Sequence, residues 1–211
     1  MRILFATGNQ GKLREIRQIL SDLDIPVVSM KEAGIMSEAE ENGATFEENA
    51  LIKARHVRNE YIKINGGCPD IVLADDSGLE VDYLGKEPGV HSARYLGADT
   101  PHHLKNLSLI ERLEGVREEE RTARFVCTIA AVFPDGREQC VRETVEGRIA
   151  HEEAGKNGFG YDPIFYLPQY GMTSAEISPE LKNSISHRGK ALTAMKSILL
   201  EAVREDPGRL S

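Results

Sequence analysis

Asp75-Asp76-Ser77-Gly78 directly follows the apolar run Ile71-Val-Leu-Ala74. Carboxylates at the end of a buried strand are costly unless they are paired, hydrogen-bonded or bound to a cation. Neighbouring strand residues point to opposite faces, so Asp75 and Asp76 do not serve equally. Open α/β sheets take ligands at the carboxyl ends of their strands. The pattern reads as an Mg2+ site for a phosphorylated substrate, against the plainer alternative of an Asp-Ser-Gly turn. An acidic loop, Glu38-Ala-Glu-Glu41-Asn-Gly43, lies upstream. One of its glutamates could complete a metal site with Asp76, although spacing does not choose which.

Groups suited to an anion stand elsewhere. Thr7-Gly8-Asn9-Gln10-Gly11-Lys12 joins a short apolar strand to an amphipathic helix. Such a turn gathers backbone N–H groups at a helix N-terminus, and Lys12 adds a cation at its mouth. The segment matches neither G-x-x-x-x-G-K-[ST] nor G-x-G-x-x-G, so no named phosphate motif applies. Lys53 lies at the edge of an apolar helix face, where a lysine either snorkels to water or reaches an anion.

Gly155-Lys-Asn-Gly-Phe-Gly-Tyr-Asp-Pro163 packs three glycines, two aromatics and one acid into nine residues. Glycine permits close backbone approach to a ligand. Phe159 or Tyr161 could stack on a flat ring; the alternative keeps both in the core. Ser186-His187-Arg188-Gly-Lys-Ala191 opens the last helix, with Ser186 as its cap and Lys182 just upstream. His187 and Arg188 are expected at the exposed start of that helix. Basic residues there oppose the helix dipole, and an anion or a hydrogen-bonding ligand would relieve the conflict. The chain holds no H-E-x-x-H, G-x-S-x-G or Cys-His signature, as metalloprotease or acyl-transfer chemistry would need. His102 and His103 have no matching acid in the pattern and read as a surface pair.

Alternating elements must position these groups. Arg2–Ala6 reads as a buried strand and Lys12 to Leu23 as a helix, with Leu13, Ile16, Leu20 and Leu23 on one face. A second helix runs from Thr45 to about Ile64. Thr45 and Glu48 form its capping box, and Phe46, Ala50, Ala54, Val57, Tyr61 and Ile64 its apolar stripe. Ile71–Ala74 is a strand ending at the acids, with Leu79–Leu84 as an optional continuation. Thr100 caps a third helix with Pro101 in its first turn. Strands over Thr122–Phe133 and Glu138–Arg148 flank the hairpin signal Pro134-Asp-Gly136. The last helix spans Gly189 to about Arg204, with Leu192, Met195, Leu199, Ala202 and Val203 inward. Helices alternating with strands, interrupted by a hairpin, predict a mixed α/β sheet.

The 211 residues suit one generous domain or two small lobes sharing a core. At 40% hydrophobic and 28% charged residues, the chain is not of the disordered class. With 34 acidic against 26 basic residues the net charge is −8, a poor match for nucleic-acid polymers and anionic membranes. Three cysteines, Cys68, Cys127 and Cys140, form no C-x-x-C pair, which fits neither a disulfide framework nor a zinc ribbon. The N-terminal apolar run is too short for a signal peptide. No stretch approaches the roughly 18 apolar residues of a membrane span, so a cytoplasmic location is expected.

Six segments, in order, resemble the inosine/xanthosine triphosphate pyrophosphatases. They are Thr7-Gly-Asn-Gln-Gly-Lys12, Thr45-Phe-Glu-Glu-Asn-Ala50, Ala74-Asp-Asp-Ser-Gly-Leu79, Pro88-Gly-Val-His-Ser-Ala-Arg94, Gly158-Phe-Gly-Tyr-Asp-Pro163 and Ser186-His-Arg-Gly-Lys190. Together they span nearly the whole chain; His91 replaces an aromatic expected before Ser92. The resemblance implies a single pyrophosphatase domain over residues 1–211, built as two α/β lobes around a long, curved, mixed sheet. It also implies a nucleotide cleft between the lobes, a homodimer, and Mg2+-dependent hydrolysis of ITP, dITP and XTP to the monophosphate and pyrophosphate. Carried over by position, Thr7, Gly8, Asn9, Gln10, Gly11 and Lys12 hold the phosphates, joined by Lys53. Asp76 becomes a metal ligand and general base, with Glu41 as the second ligand. Ser77, Phe159, Gly160, Tyr161, Asp162, Lys182, His187 and Arg188 contact the substrate, the last of these around the base. Donors aimed at O6 would face the amino group of adenine, a mismatch that discriminates by roughly 10⁴-fold. Guanine must be refused at its 2-amino group, so ATP and GTP are expected to be poor substrates. The rivals are a related pyrophosphatase for modified pyrimidine or methylated nucleotides and a nucleotide-binding regulator without turnover.

Overall fold

The computed structural model describes Met1–Glu205, without the side chains of Val203 and Glu205. Seven strands form one sheet in the order β2-β1-β3-β4-β5-β6-β7. These are β1 (Ile3–Phe5), β2 (Val27–Ser29), β3 (Ile71–Val81), β4 (Thr122–Val132), β5 (Glu138–Ile149), β6 (Phe165–Leu167) and β7 (Met172–Thr173). β1 runs parallel to β2 and β3, whereas β6 is antiparallel to β5 and β7. The sheet is therefore mixed, as the alternation of elements predicted. The helices are α1 (Gln10–Ile19), α2 (Phe46–Asn65), α3 (His102–Arg112), α4 (Pro179–Ile185) and α5 (His187–Glu205). Among the described residues no helix is long and apolar enough to cross a membrane.

The chain divides into two compact units. The first comprises residues 1–76, 127–143 and those from 190 onward; the second comprises 77–126 and 144–189. Strand alternation builds two separate cores in the first unit. Ile3 and Phe5 of β1 and Ile71 and Leu73 of β3 pack with Leu13, Ile16 and Leu20, from α1 and its end. The intervening Leu4, Ala6, Val72 and Ala74 pack with Ala50, Ala54 and Val57 of α2. In the second unit Leu79, Val81, Leu109, Phe125, Ile149, Ile164 and Phe165 form the core. Buried Arg121 donates there to the carbonyls of Leu113, Ile149 and Ala150.

Several elements differ from the sequence reading. β3 does not end at Asp75 but continues through Gly78 to Val81, because both acids find partners that let them stay in a buried strand. α1 begins at Gln10, two residues before Lys12, because Asn9 caps it. Leu20 and Leu23 lie past its end yet remain buried. α3 is capped by Pro101 with no side-chain cap bond; the Thr100 hydroxyl donates instead to the Leu96 carbonyl. Ile64 is exposed in the last turn of α2, past the reach of its apolar stripe. Of the inward residues expected on α5, Leu192, Met195 and Leu199 are fully buried and Ala202 is half-buried, while the Val203 side chain lies outside the described residues.

Candidate active site

The pleat of β3 decides which helix each acid meets. Ile71 and Leu73 face α1, and two residues on Asp75 meets that helix: Lys12 Nζ lies 2.8 Å from Asp75 Oδ2. Val72 and Ala74 face α2, and Asp76 meets it in turn: Lys53 Nζ donates to Asp76 Oδ1 at 2.7 Å. Glu41, on the loop before α2, lies 3.5 Å from the same ammonium group. Both lysines expected to hold phosphates are thus parked against carboxylates. Asp75 and Asp76 are 2% and 6% exposed, so neither acid is a surface decoration.

Burial pushes the Asp76 carboxyl above its ordinary value, against the pull of Lys53. Burial acts to lower the Lys53 ammonium, but Asp76, Asp75 and Glu41 together hold it above its ordinary value. Two cations among three carboxylates leave an excess of negative charge, which favours the protonated form of both groups. Asp76 Oδ2 is buried and has no hydrogen-bond partner among the described residues. A buried carboxylate oxygen without a partner is costly, and a cation is one ligand that satisfies it. Among the described residues no three His, Cys, Asp or Glu side chains stand together as a complete metal cage. Mg2+ needs no such cage, since it is commonly held by one or two carboxylates plus substrate phosphates. Asp76 with Glu41 fits that donor set.

The turn from Thr7 to Lys12 caps itself. Thr7 Oγ1 accepts from the Asn9 amide at 3.1 Å, and Asn9 Oδ1 accepts from Gly11 and Lys12 at 2.8 and 3.1 Å. Gly8, Asn9 and Gln10 are exposed. Ser77 follows Asp76 on β3 and is half-buried.

The second unit assembles the remaining candidates around Asp162, which is 3% exposed. Its Oδ2 accepts the Phe159 amide at 2.8 Å and Lys182 Nζ at 2.6 Å, and its Oδ1 accepts the Ser174 hydroxyl at 2.8 Å. Gly158 makes this possible: at φ +77° it lies so close that an added Cβ would fall 2.1 Å from Asp162 Oδ2. Phe159 is 41% exposed. Lys182 Nζ and the Arg188 guanidinium lie 5.1 and 5.7 Å from the centre of its ring, within cation–π range.

Three expectations change here. The Tyr161 ring belongs to the core, and its hydroxyl donates to the Ser92 carbonyl at 2.7 Å, so Phe159 alone offers an open face. His187 and Arg188 are buried rather than exposed; His187 stacks on Phe125 at 4.9 Å. Ser186 does cap α5, accepting the Gly189 amide at 3.0 Å. His103 also has an acid partner, since Nδ1 lies 2.5 Å from Glu153 Oε2. Sequence reasoning missed the Ser174 contact with Asp162, for which a separation of twelve residues left no signal. Strand alternation put Asp75 and Asp76 on different faces, but it named neither Lys12 nor Lys53 as their partners.

The model of the Ham1 family matches residues 3–198. The chain belongs to the Ham1 family. It is 43% identical over 198 residues to a dITP/XTP pyrophosphatase of Clostridium perfringens, covering 94% of this chain and 97% of that protein. It is 46% identical over 206 residues to the dITP/XTP pyrophosphatase of Caldanaerobacter subterraneus subsp. tengcongensis, covering 98% of this chain and all of that one. The solved Ham1 protein of Coxiella burnetii superposes with a TM-score of 0.84 at 41% identity, covering 95% of this chain and 99% of the other. Ham1 membership thus extends over sheet, helices and every candidate residue.

Proposed function

We propose that this chain hydrolyses non-standard purine nucleoside triphosphates, ITP, dITP and XTP, to the monophosphate and pyrophosphate. The reading is carried by Asp76: a buried carboxylate with one oxygen unpartnered, beside Lys53 and Glu41, in a chain of the Ham1 family. Asp76 and Glu41 would hold Mg2+. When bound, that ion supplies charge neutralisation on the phosphates and lowers the pKa of a water. Asp76 takes a proton from the attacking water, whose oxygen bonds the α-phosphorus as the bond to the bridging oxygen breaks. Lys12 and Lys53 leave their carboxylates to stabilise the departing pyrophosphate. The Thr7–Lys12 turn holds phosphate oxygens through its amides.

In the second unit, the open face of Phe159 stacks against the base. Asp162 holds Lys182 and the Phe159 amide in place, and Lys182, His187 and Arg188 present donors to a carbonyl at O6. Adenine sets its amino donor against those donors and is refused. The same reading carries a homodimer and a cytoplasmic location. Leu96, Leu104 and Leu107 expose apolar surface on and beside α3, which supports the first. Incubation with each nucleotide and Mg2+, followed by separation of products, tests the proposal. Monophosphate plus pyrophosphate from ITP supports it. Diphosphate plus phosphate, or unchanged ITP, overturns it, and equal kcat/KM for ATP and ITP overturns the base selection.

A further inference from the structure

Glu41 stands on a loop without regular structure, yet the chain just after it is firmly held. The first turn of α2 reaches back to two successive amides. Asn49 Oδ1 accepts from Gly43 at 2.8 Å, and Glu48 Oε2 accepts from Ala44 at 2.6 Å. Asn49 is fully buried, and its Nδ2 has no partner among the described residues. A buried donor left unmet costs free energy, so an apolar side chain would suit the position better unless the Oδ1 contact has a use. Gly43 shows how close that contact is. An added Cβ there would stand 2.7 Å from both Asn49 Oδ1 and Glu48 Cβ, and 3.0 Å from the Asn49 amide nitrogen.

Asn49 and Lys53 are one helical turn apart on the same face. Lys53 Nζ meets the Glu41 carboxylate at 3.5 Å and Asp76 at 2.7 Å. One face of α2 therefore grips the loop twice, by its backbone and by its charge. We propose that Asn49 is a positioning residue for the metal site. Through the Gly43 amide it fixes the chain two residues after Glu41, and so sets where that carboxylate stands beside Asp76. This inference rests on Glu41 being a metal ligand. Asn49 itself touches neither metal nor substrate.

The test compares Asn49→Leu, Gly43→Ala, the double variant and Glu41→Gln in the full chain. Mn2+ binding is read by electron paramagnetic resonance with and without pyrophosphate, alongside the metal dependence of dITP hydrolysis. Thermal unfolding establishes that each variant is folded. Loss of a group that orients a metal ligand weakens metal affinity by about 10–100-fold. Asn49→Leu and Gly43→Ala are each expected to weaken Mn2+ binding by about tenfold, with kcat largely recovered at saturating metal. The double variant is expected to bind no worse than the weaker single one, since both break one contact. Metal affinity unchanged in Asn49→Leu while Glu41→Gln weakens it overturns the positioning role alone, as do additive losses in the double variant. Unchanged affinity in Glu41→Gln overturns the ligand assignment, and the positioning role with it. Gly43→Ala removes no side chain of the site, so it keeps the test decisive if Asn49→Leu fails to fold.

Discussion

The two charged clusters of this Ham1 protein are built to opposite balances. In the first unit Lys12 and Lys53 face Asp75, Asp76 and Glu41, so carboxylates outnumber cations. In the second, Lys182 and Arg188 lie against the ring of Phe159, with Asp162 beneath Lys182. A triphosphate adds negative charge and cannot settle among carboxylates unless a cation enters with it. A flat, uncharged base needs only an open π face and donors at its rim. The contrast separates catalysis from recognition. Under the proposed function, the carboxylate-rich cluster handles the bond that breaks, and the cation-rich cluster handles the part of the substrate that does not react.

The largest effect that could break this comparison concerns Asp76. Replacing it with asparagine removes a proton acceptor and should lower kcat by about 10²–10⁴-fold in initial-rate assays of pyrophosphate release. A kcat close to that of the parent would place the chemistry elsewhere. Next comes the foundation of the second cluster. Lys182→Met strands a buried carboxylate and should destabilise the protein by about 3–5 kcal/mol in denaturant titrations. Adding Asp162→Asn should recover much of that loss; no recovery would show that the pair does not support the loop.

Phe159→Ala sharpens the division between the halves. Loss of a base-stacking face worth about 1–3 kcal/mol should raise KM for dITP roughly tenfold and leave kcat nearly intact. An equal fall in kcat would blur the two roles. The smallest effect is that of Tyr161→Phe, which removes the bond to Ser92 and should cost about 1 kcal/mol at neutral pH. Burial holds the Tyr161 phenol well above its ordinary value. The unfolded chain therefore ionises first, and stability falls as pH rises above about 10. The phenylalanine variant should show a flatter alkaline decline in pH-dependent unfolding.

Much of this arrangement was legible because it is local. The capping Thr45, the apolar stripes of α1 and α2 and the hairpin around Pro134 follow from spacing alone. So does the assignment of Asp75 and Asp76 to different faces. What escaped depended on partners far along the chain. β3 reads as ending in a turn because Asp-Ser-Gly is turn chemistry, and only Lys12 and Lys53, on two helices, make a buried strand tolerable there. β2, β6 and β7 are two or three residues long, too short to show a period. His187 and Arg188 look like exposed helix-start residues, since nothing nearby announces Phe125 or Phe159. Position in sequence pointed to the candidate residues, and long-range packing decided how they are held.

The self-capped turn after β1 has a consequence for binding. The amides of Gly11 and Lys12 already have an acceptor, the side-chain oxygen of Asn9. Under the proposed function, a phosphate that takes those two amides must displace that oxygen, and losing such a cap costs about 0.5–2 kcal/mol. Association there is an exchange with a threshold. A stronger, doubly charged acceptor crosses it and a weak one does not. Under the proposed function, Asn9 would close the turn again as the anion leaves, giving the chain its own competitor against lingering product.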